Sequence, residues 1–171
     1  MKKVLKSTTL VAGMLITGGA LAATDGVVGS TSTGTLDIEV TVADAVRISG
    51  LTDITASFDG TNDIVETSDA CIYRNAAGGN YAITATGDGA GGAFTIGDVT
   101  TDIPYEVRWD GSATAMTSGT QLTGLSGADE TSTSCGGTPN ASVEVTILAA
   151  DLLTVPQTTL DGTLTLVVAP E

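Results

Sequence analysis

Between Gly34 and Val42 the side chains alternate with a period of two: Leu36, Ile38, Val40 and Val42 are aliphatic, and Thr35, Asp37, Glu39 and Thr41 are polar. That period puts all four aliphatic groups on one face of an extended strand, where β-branched residues fit the pleat. The same alternation returns at Val143, Val145 and Ile147, and again at Leu164, Leu166 and Val168. Clusters of Gly, Ser, Thr, Asn and Asp separate the apolar runs, and no long stretch carries the 3.6-residue period of a helix. The chain is thereby confined to an all-β architecture, and its first alternating strand needs an apolar groove to cover one of its faces.

Taken in order, the first strand is predicted to run on through Asp44 towards Val46 to Ile48, and the remaining strands lie at Ile54 to Phe58, Ala70 to Arg74, Tyr81 to Thr86, Ala93 to Ile96, Ile103 to Trp109, Ala141 to Leu148 and Gly162 to Ala169. Residues 59–63 read as a turn, and Pro104 suits the first residues of a strand or a sheet edge. The spacing predicts that Tyr105, Val107 and Trp109 share a face. Residues 114–139 form a long Gly/Ser/Thr stretch, and Ala149 to Leu153 has room for a turn or two of helix at most. Such regular strand and turn spacing points to a β-sandwich.

The chain opens with Lys2, Lys3 and Lys6, continues through an apolar run from Thr9 to Leu21 and offers a small-x-small pattern at Ala20 to Ala22. These are the marks of a secretory signal peptide over residues 1–22, and the run is too short and too rich in glycine for a membrane span. Removing it leaves Arg47, Arg74 and Arg108 against 20 acidic residues, a net charge of −17. Nucleic acid is excluded as a partner on electrostatic grounds, whereas solubility is favoured. An exported chain with only Cys71 and Cys135 is expected to join them, closing a loop of 64 residues. The chain-entropy model assigns such a bridge about 4 kcal/mol.

Motifs of chemistry are scarce. There is no histidine, so the usual general base and zinc ligand are missing. The oxygens between Asp59 and Asp63 are spaced closely enough to suggest calcium, but they lack the bidentate glutamate of a calcium loop, and a plain turn is the stronger reading. The glycine-rich Gly87 to Gly92 precedes no helix and cradles no phosphate. Asp129 and Glu130 are adjacent carboxylates in a chain full of them. Asn140 and Ser142 match a glycosylation pattern, and Tyr105 with Trp109 suggests either a sugar platform or core packing. No constellation nominates an enzyme, and no cofactor is implied.

Over residues 34–169 the chain resembles the spore-coat-protein-U-like subunits of the archaic chaperone-usher pili. The resemblance is distributed along the chain. It rests on the small-residue leader running into Gly34 to Val40, the turn after Phe58 at Asp59 and Gly60, Cys71 followed by Tyr81 to Thr84, and Gly91 to Phe94. It continues in Ile103 to Tyr105 leading to Trp109, in Val143 to Ile147 before Pro156, and in the ending Asp161 to Pro170. The resemblance implies an immunoglobulin-like β-sandwich one strand short, completed by donor-strand exchange. Its organisation would be a signal peptide (1–22), a flexible leader with an N-terminal donor strand (23–43) and a pilin sandwich domain (44–171). Leu36, Ile38, Val40 and Val42 would be the donor residues, first replaced by a strand of a periplasmic chaperone and then exchanged at an outer-membrane usher between neighbouring copies. The product would be a head-to-tail surface pilus, secreted through the periplasm, without catalytic residues or membrane insertion, supporting adhesion or biofilm formation. The alternative is a self-complete secreted β-sandwich in which residues 34–42 pair within their own domain and the surface binds glycans or calcium.

Overall fold

The structure, a computed structural model, describes residues 23–97 and 101–171; the signal peptide read at residues 1–22 lies outside the described residues. Two compact units are distinguished, one ending at Val42 and the other running from Ala43 to Glu171. In the first, Thr24 and Thr35 pair through reciprocal backbone hydrogen bonds of 2.9 and 3.0 Å, closing a small loop immediately before Leu36. From Leu36 to Val42 the backbone belongs to no strand.

The second unit is built almost entirely of antiparallel strands: β1 (Val46–Ser49), β2 (Ile64–Arg74), β3 (Tyr81–Gly87), β4 (Thr95–Gly97), β5 (Asp102–Pro104), β6 (Glu106–Trp109), β7 (Gln121–Leu125), β8 (Ala141–Ile147) and β9 (Leu164–Pro170). A short α-helix, α1 (Ala149–Leu152), follows β8. One sheet has the order β1-β2-β8-β6, a second the order β7-β3-β9, and β4 pairs with β5 as a separate ribbon. The core is filled by inward residues of both larger sheets, with Ile72, Val107 and Trp109 from the first and Ile83 from the second fully buried. Across that core the Trp109 indole N–H donates to the Tyr81 hydroxyl at 3.1 Å, satisfying a buried donor and tying the sheets together. The chain is thus an all-β sandwich.

Several boundaries differ from the sequence reading, each for a local reason. Residues 103–109 are split at Tyr105, whose N–H donates to Phe94 O at 2.9 Å. Pro104 has no N–H to continue a ladder, so β5 runs with β4 while β6 runs with β8. Tyr105, Val107 and Trp109 are all buried, as their shared parity predicts. β7 lies inside the polar stretch, carried by Leu122 and Leu125 and shifted in register where it meets Tyr81 to Ile83. β2 begins at Ile64 rather than Ala70, and residues 54–58 form no strand. Cys71 on β2 is disulfide-bonded to Cys135. The bridge fastens the turn after β7 to the first sheet.

Candidate strand-docking groove

The last strand, β9, pairs with β3 along its whole length, from Tyr81 opposite Pro170 to Gly87 opposite Leu164. Since β9 ends the order β7-β3-β9, its other side is a sheet edge among the described residues. An edge strand leaves alternate backbone N–H and C=O groups without a ladder partner. The first half of β2 is in a similar position. It pairs with β8 on one side, from Ile64 opposite Ile147 to Ala70 opposite Ala141, whereas β1 covers the other side only from Cys71 to Arg74.

Between these two edges lies a groove of about 1060 Å³. Its floor is the inward face of the first sheet, with Ile64, Glu66 and Ser68 on β2 and Val143, Val145 and Ile147 on β8. One wall is Leu164 and Leu166 at the start of β9, and the other is the strandless segment with Leu51, Ile54 and Phe58. Leu152, Val155 and Leu160 contribute from α1 and the loop after it. Its size is at the upper end of ordinary small-molecule pockets, roughly 300–1,000 Å³, yet its lining comes from sheet edges and aliphatic side chains.

The wall formed by Leu51 to Phe58 is held off the β2 ladder by one side chain. Ser68 Oγ accepts the Thr52 N–H at 2.9 Å and donates to Thr52 O at 3.0 Å. Those bonds replace main-chain pairing at that point, and the segment stands beside β2 without becoming its neighbour strand. At the opposite end of β9 a polar lock surrounds the start of the unit. Arg74, itself buried, binds Asp44 through both carboxylate oxygens at 3.2 and 2.7 Å and also donates to Asn80 O. Asn75 accepts the Ala45 N–H at 2.7 Å and donates to Ala43 O at 2.8 Å. The hydrogen bonds from Arg74 hold the Asp44 carboxyl below the usual carboxylate range, and Asp44 in turn raises Arg74. The chain is therefore fixed at residues 43–45, directly after Val42.

The four sequence-predicted donor residues lie in the first unit with their side chains in solvent: Leu36 is 69% exposed, Ile38 82%, and Val40 and Val42 78% each. Four aliphatic side chains in a row at such exposure are unusual on a folded chain. Other sequence candidates dissolve into structure. Asp59 closes its own turn, accepting N–H groups of Asn62 and Thr61 at 2.9 and 2.7 Å, and these bonds depress its carboxyl. Asp63 accepts the Ala149 N–H at 2.7 Å, and no metal-holding group of acids is found among the described residues. Asp129 likewise accepts from Thr131 and Ser132, while Glu130 binds the Gly78 N–H. Asn140 is spent on both backbone groups of Ile72 and on Gly127 O. Tyr105 and Trp109 are both buried core residues. No helix among the described residues is long and apolar enough to cross a membrane.

The sequence reading implies a groove of this kind but does not identify the residues that line it. The signal present was the inward parity of Ile64 with Val143, Val145 and Ile147, and it was masked by Glu66 and Ser68 on the same face.

Compared with known proteins, the chain matches no family model and no curated sequence. Among solved structures it is similar to a chain of a chaperone-tip adhesin complex described as vital for synergistic activation of CFA/I fimbriae biogenesis. That likeness has a TM-score of 0.53 at 14% sequence identity and covers 74% of this chain. It spans only 41% of the other chain's length, and at this identity it speaks for the fold alone.

Proposed function

We propose that the chain is a structural subunit of a surface fibre, assembled when Leu36 to Val42 of one copy enter the groove between β2 and β9 of the next. The observation that carries the reading is the complementarity of two exposed features: four aliphatic side chains at alternate positions, and an apolar groove bordered by unpaired strand edges. Burying four such side chains contributes roughly 6–12 kcal/mol. Ordering seven backbone residues costs about 1–2 kcal/mol each, a comparable amount. Pairing along the free edge of β9 supplies the difference, because it satisfies backbone groups on both strands. Insertion of one copy into the next is head-to-tail and does not close on itself, so it propagates as a filament.

On this reading the fibre is exported to the cell surface, and the groove is first occupied by a strand of a chaperone. The similarity to a chain of a fimbrial chaperone-adhesin complex supports a fold of this kind. Passage through an usher and a role in adhesion belong to the same proposal. Its chemistry is assembly and needs no catalytic group.

The test compares residues 23–171 with the same chain lacking residues 23–43, by size-exclusion chromatography and electron microscopy. Fibres or ladders from the full chain, with a truncation that stays monomeric and takes up an added peptide of residues 34–43, establish strand exchange. A cooperative monomer that unfolds on truncation assigns the strand to its own sandwich and rejects the proposal.

A further inference from the structure

One ionised side chain stands in the floor of an otherwise aliphatic groove. On β2 the inward parity runs Ile64, Glu66, Ser68, Ala70, opposite Ile147, Val145, Val143 and Ala141 of β8. Ser68 is committed to Thr52 on both its donor and acceptor sides. Glu66 is exposed, and among the described residues no side chain or backbone group partners its carboxylate. The other charges lining the groove, Asp53 and Asp161, have the same sign. The three arginines of the described chain lie elsewhere, Arg74 on Asp44, Arg108 on Glu106 and Glu144, and Arg47 on β1.

A strand that fills the groove turns alternate side chains toward this floor and shuts Glu66 away from water. The strand of a second copy presents only Leu36, Ile38, Val40 and Val42 on that face, with Asp37 and Glu39 on the other. It brings no donor to the carboxylate and no positive charge to an acidic groove. An ionised carboxylate covered without a partner is a penalty on binding, and a lysine or arginine at the facing position turns the same contact into a charge-assisted hydrogen bond.

We propose that Glu66 is a specificity-determining residue of the groove, and that the occupant it selects is an extended strand of another protein bearing a lysine or arginine among its inward-facing aliphatic residues. This rests on the strand-docking reading above and names its preferred partner. A strand of that chemistry holds the groove against the all-aliphatic strand of a second copy. Exchange for the second copy then proceeds with the loss of one ionic contact, so Glu66 favours the escorted subunit over premature self-assembly.

The experiment titrates residues 23–171 at low ionic strength with labelled peptides of residues 34–43; Ile38→Asp and Val40→Asp are placed in every chain tested, the one called wild type below included, so that no copy fills another's groove with its own strand. The parent peptide is compared with four derivatives, Leu36→Lys, Ile38→Lys, Val40→Lys and Val42→Lys, by fluorescence anisotropy. Each is measured on the wild-type chain and on Glu66→Leu and Glu66→Gln, whose folding is followed by circular dichroism. The expected result is that at least one lysine peptide binds the wild-type chain about tenfold more tightly than it binds Glu66→Leu, while the parent peptide shows the opposite order. Glu66→Gln falls between them, and high salt narrows both differences. If the ratio of each lysine peptide to the parent stays within about twofold across the three chains, Glu66 selects nothing and the inference is overturned. If no peptide, including the parent, binds any of the chains, strand docking itself fails and takes the inference with it.

Discussion

Replacing Ile38 and Val40 together with aspartate tests the assembly reading at its most exposed point. Both side chains stand mostly in water, 82% and 78% exposed, so most of their apolar surface is available to be buried at a joint between copies. Scaling the usual 1.5–3 kcal/mol per buried aliphatic side chain by that exposure gives roughly 2.5–5 kcal/mol for the pair. That corresponds to between about a hundredfold and several thousandfold in joint affinity, before any cost of pressing new carboxylates against an aliphatic floor. The double variant is expected to remain an exported, folded monomer at concentrations where the wild-type chain forms fibres, as seen by size-exclusion chromatography and electron microscopy. Thr41→Asp, on the opposite face of the same strand, adds a charge of the same sign and serves as the control. Fibres from the double variant matching wild type in yield and stability would refute the reasoning. Equal loss from Thr41→Asp would show that charge alone, and not an aliphatic plug, governs the joint.

Within the sandwich, Tyr81→Phe leaves the buried Trp109 indole N–H without its acceptor. A cost of about 1–3 kcal/mol is expected as a lower urea midpoint, and an unchanged midpoint would remove that bond from the account of the core. Reducing the Cys71 to Cys135 bridge is expected to lower the midpoint by about 4 kcal/mol equivalent, measured with and without reductant, and insensitivity to reductant would contradict it. Asp44, Asp59 and Asp129 all have carboxyls held below the ordinary value of 3.8 by hydrogen bonds in the folded chain. Their contribution is complete above about pH 4 and is lost as pH falls through the depressed values, because the unfolded chain then binds more protons. Urea midpoints should hold steady from neutrality to about pH 5 and fall below about pH 4; a rise on acidification would reverse the sign.

The sequence was most legible where one face is uniformly apolar. β8, β9 and the Tyr105 to Trp109 run are read correctly from parity alone, because the residues facing the core are all hydrophobic. The all-β class follows from the same pattern and from the glycine-rich turns between strands. Legibility fails where the inward face carries polar groups. Val65, Thr67 and Asp69 face outward on β2, and Glu66 and Ser68 face inward, so no alternation survives and the first half of the strand disappears from view. Residues 54–58 fail in the other direction. They have the aliphatic content of a strand, but tertiary contacts decide otherwise, since Ser68 meets the Thr52 backbone with its side chain where a ladder would need main chain.

Those two failures have a common physical cause, which is the groove. A fully apolar inward face on β2 would draw residues 51–58 into the first sheet as an ordinary edge strand, and the sandwich would close over its own core. Ser68 prevents this by holding Thr52 at side-chain distance, and Glu66 prevents it by placing a charge where a closing segment would have to bury it. Polar groups on the inner face therefore keep an apolar cleft from collapsing on itself, at the expense of stability in the isolated unit. Ser68→Val is the corresponding perturbation. Without its bonds to Thr52, the wall from Leu51 to Phe58 is expected to settle onto β2, narrowing the groove and weakening uptake of the 34–43 peptide while the urea midpoint of the chain holds or rises. If Ser68→Val instead takes up the peptide as well as the wild-type chain does, the groove is kept open by something other than this pair of hydrogen bonds.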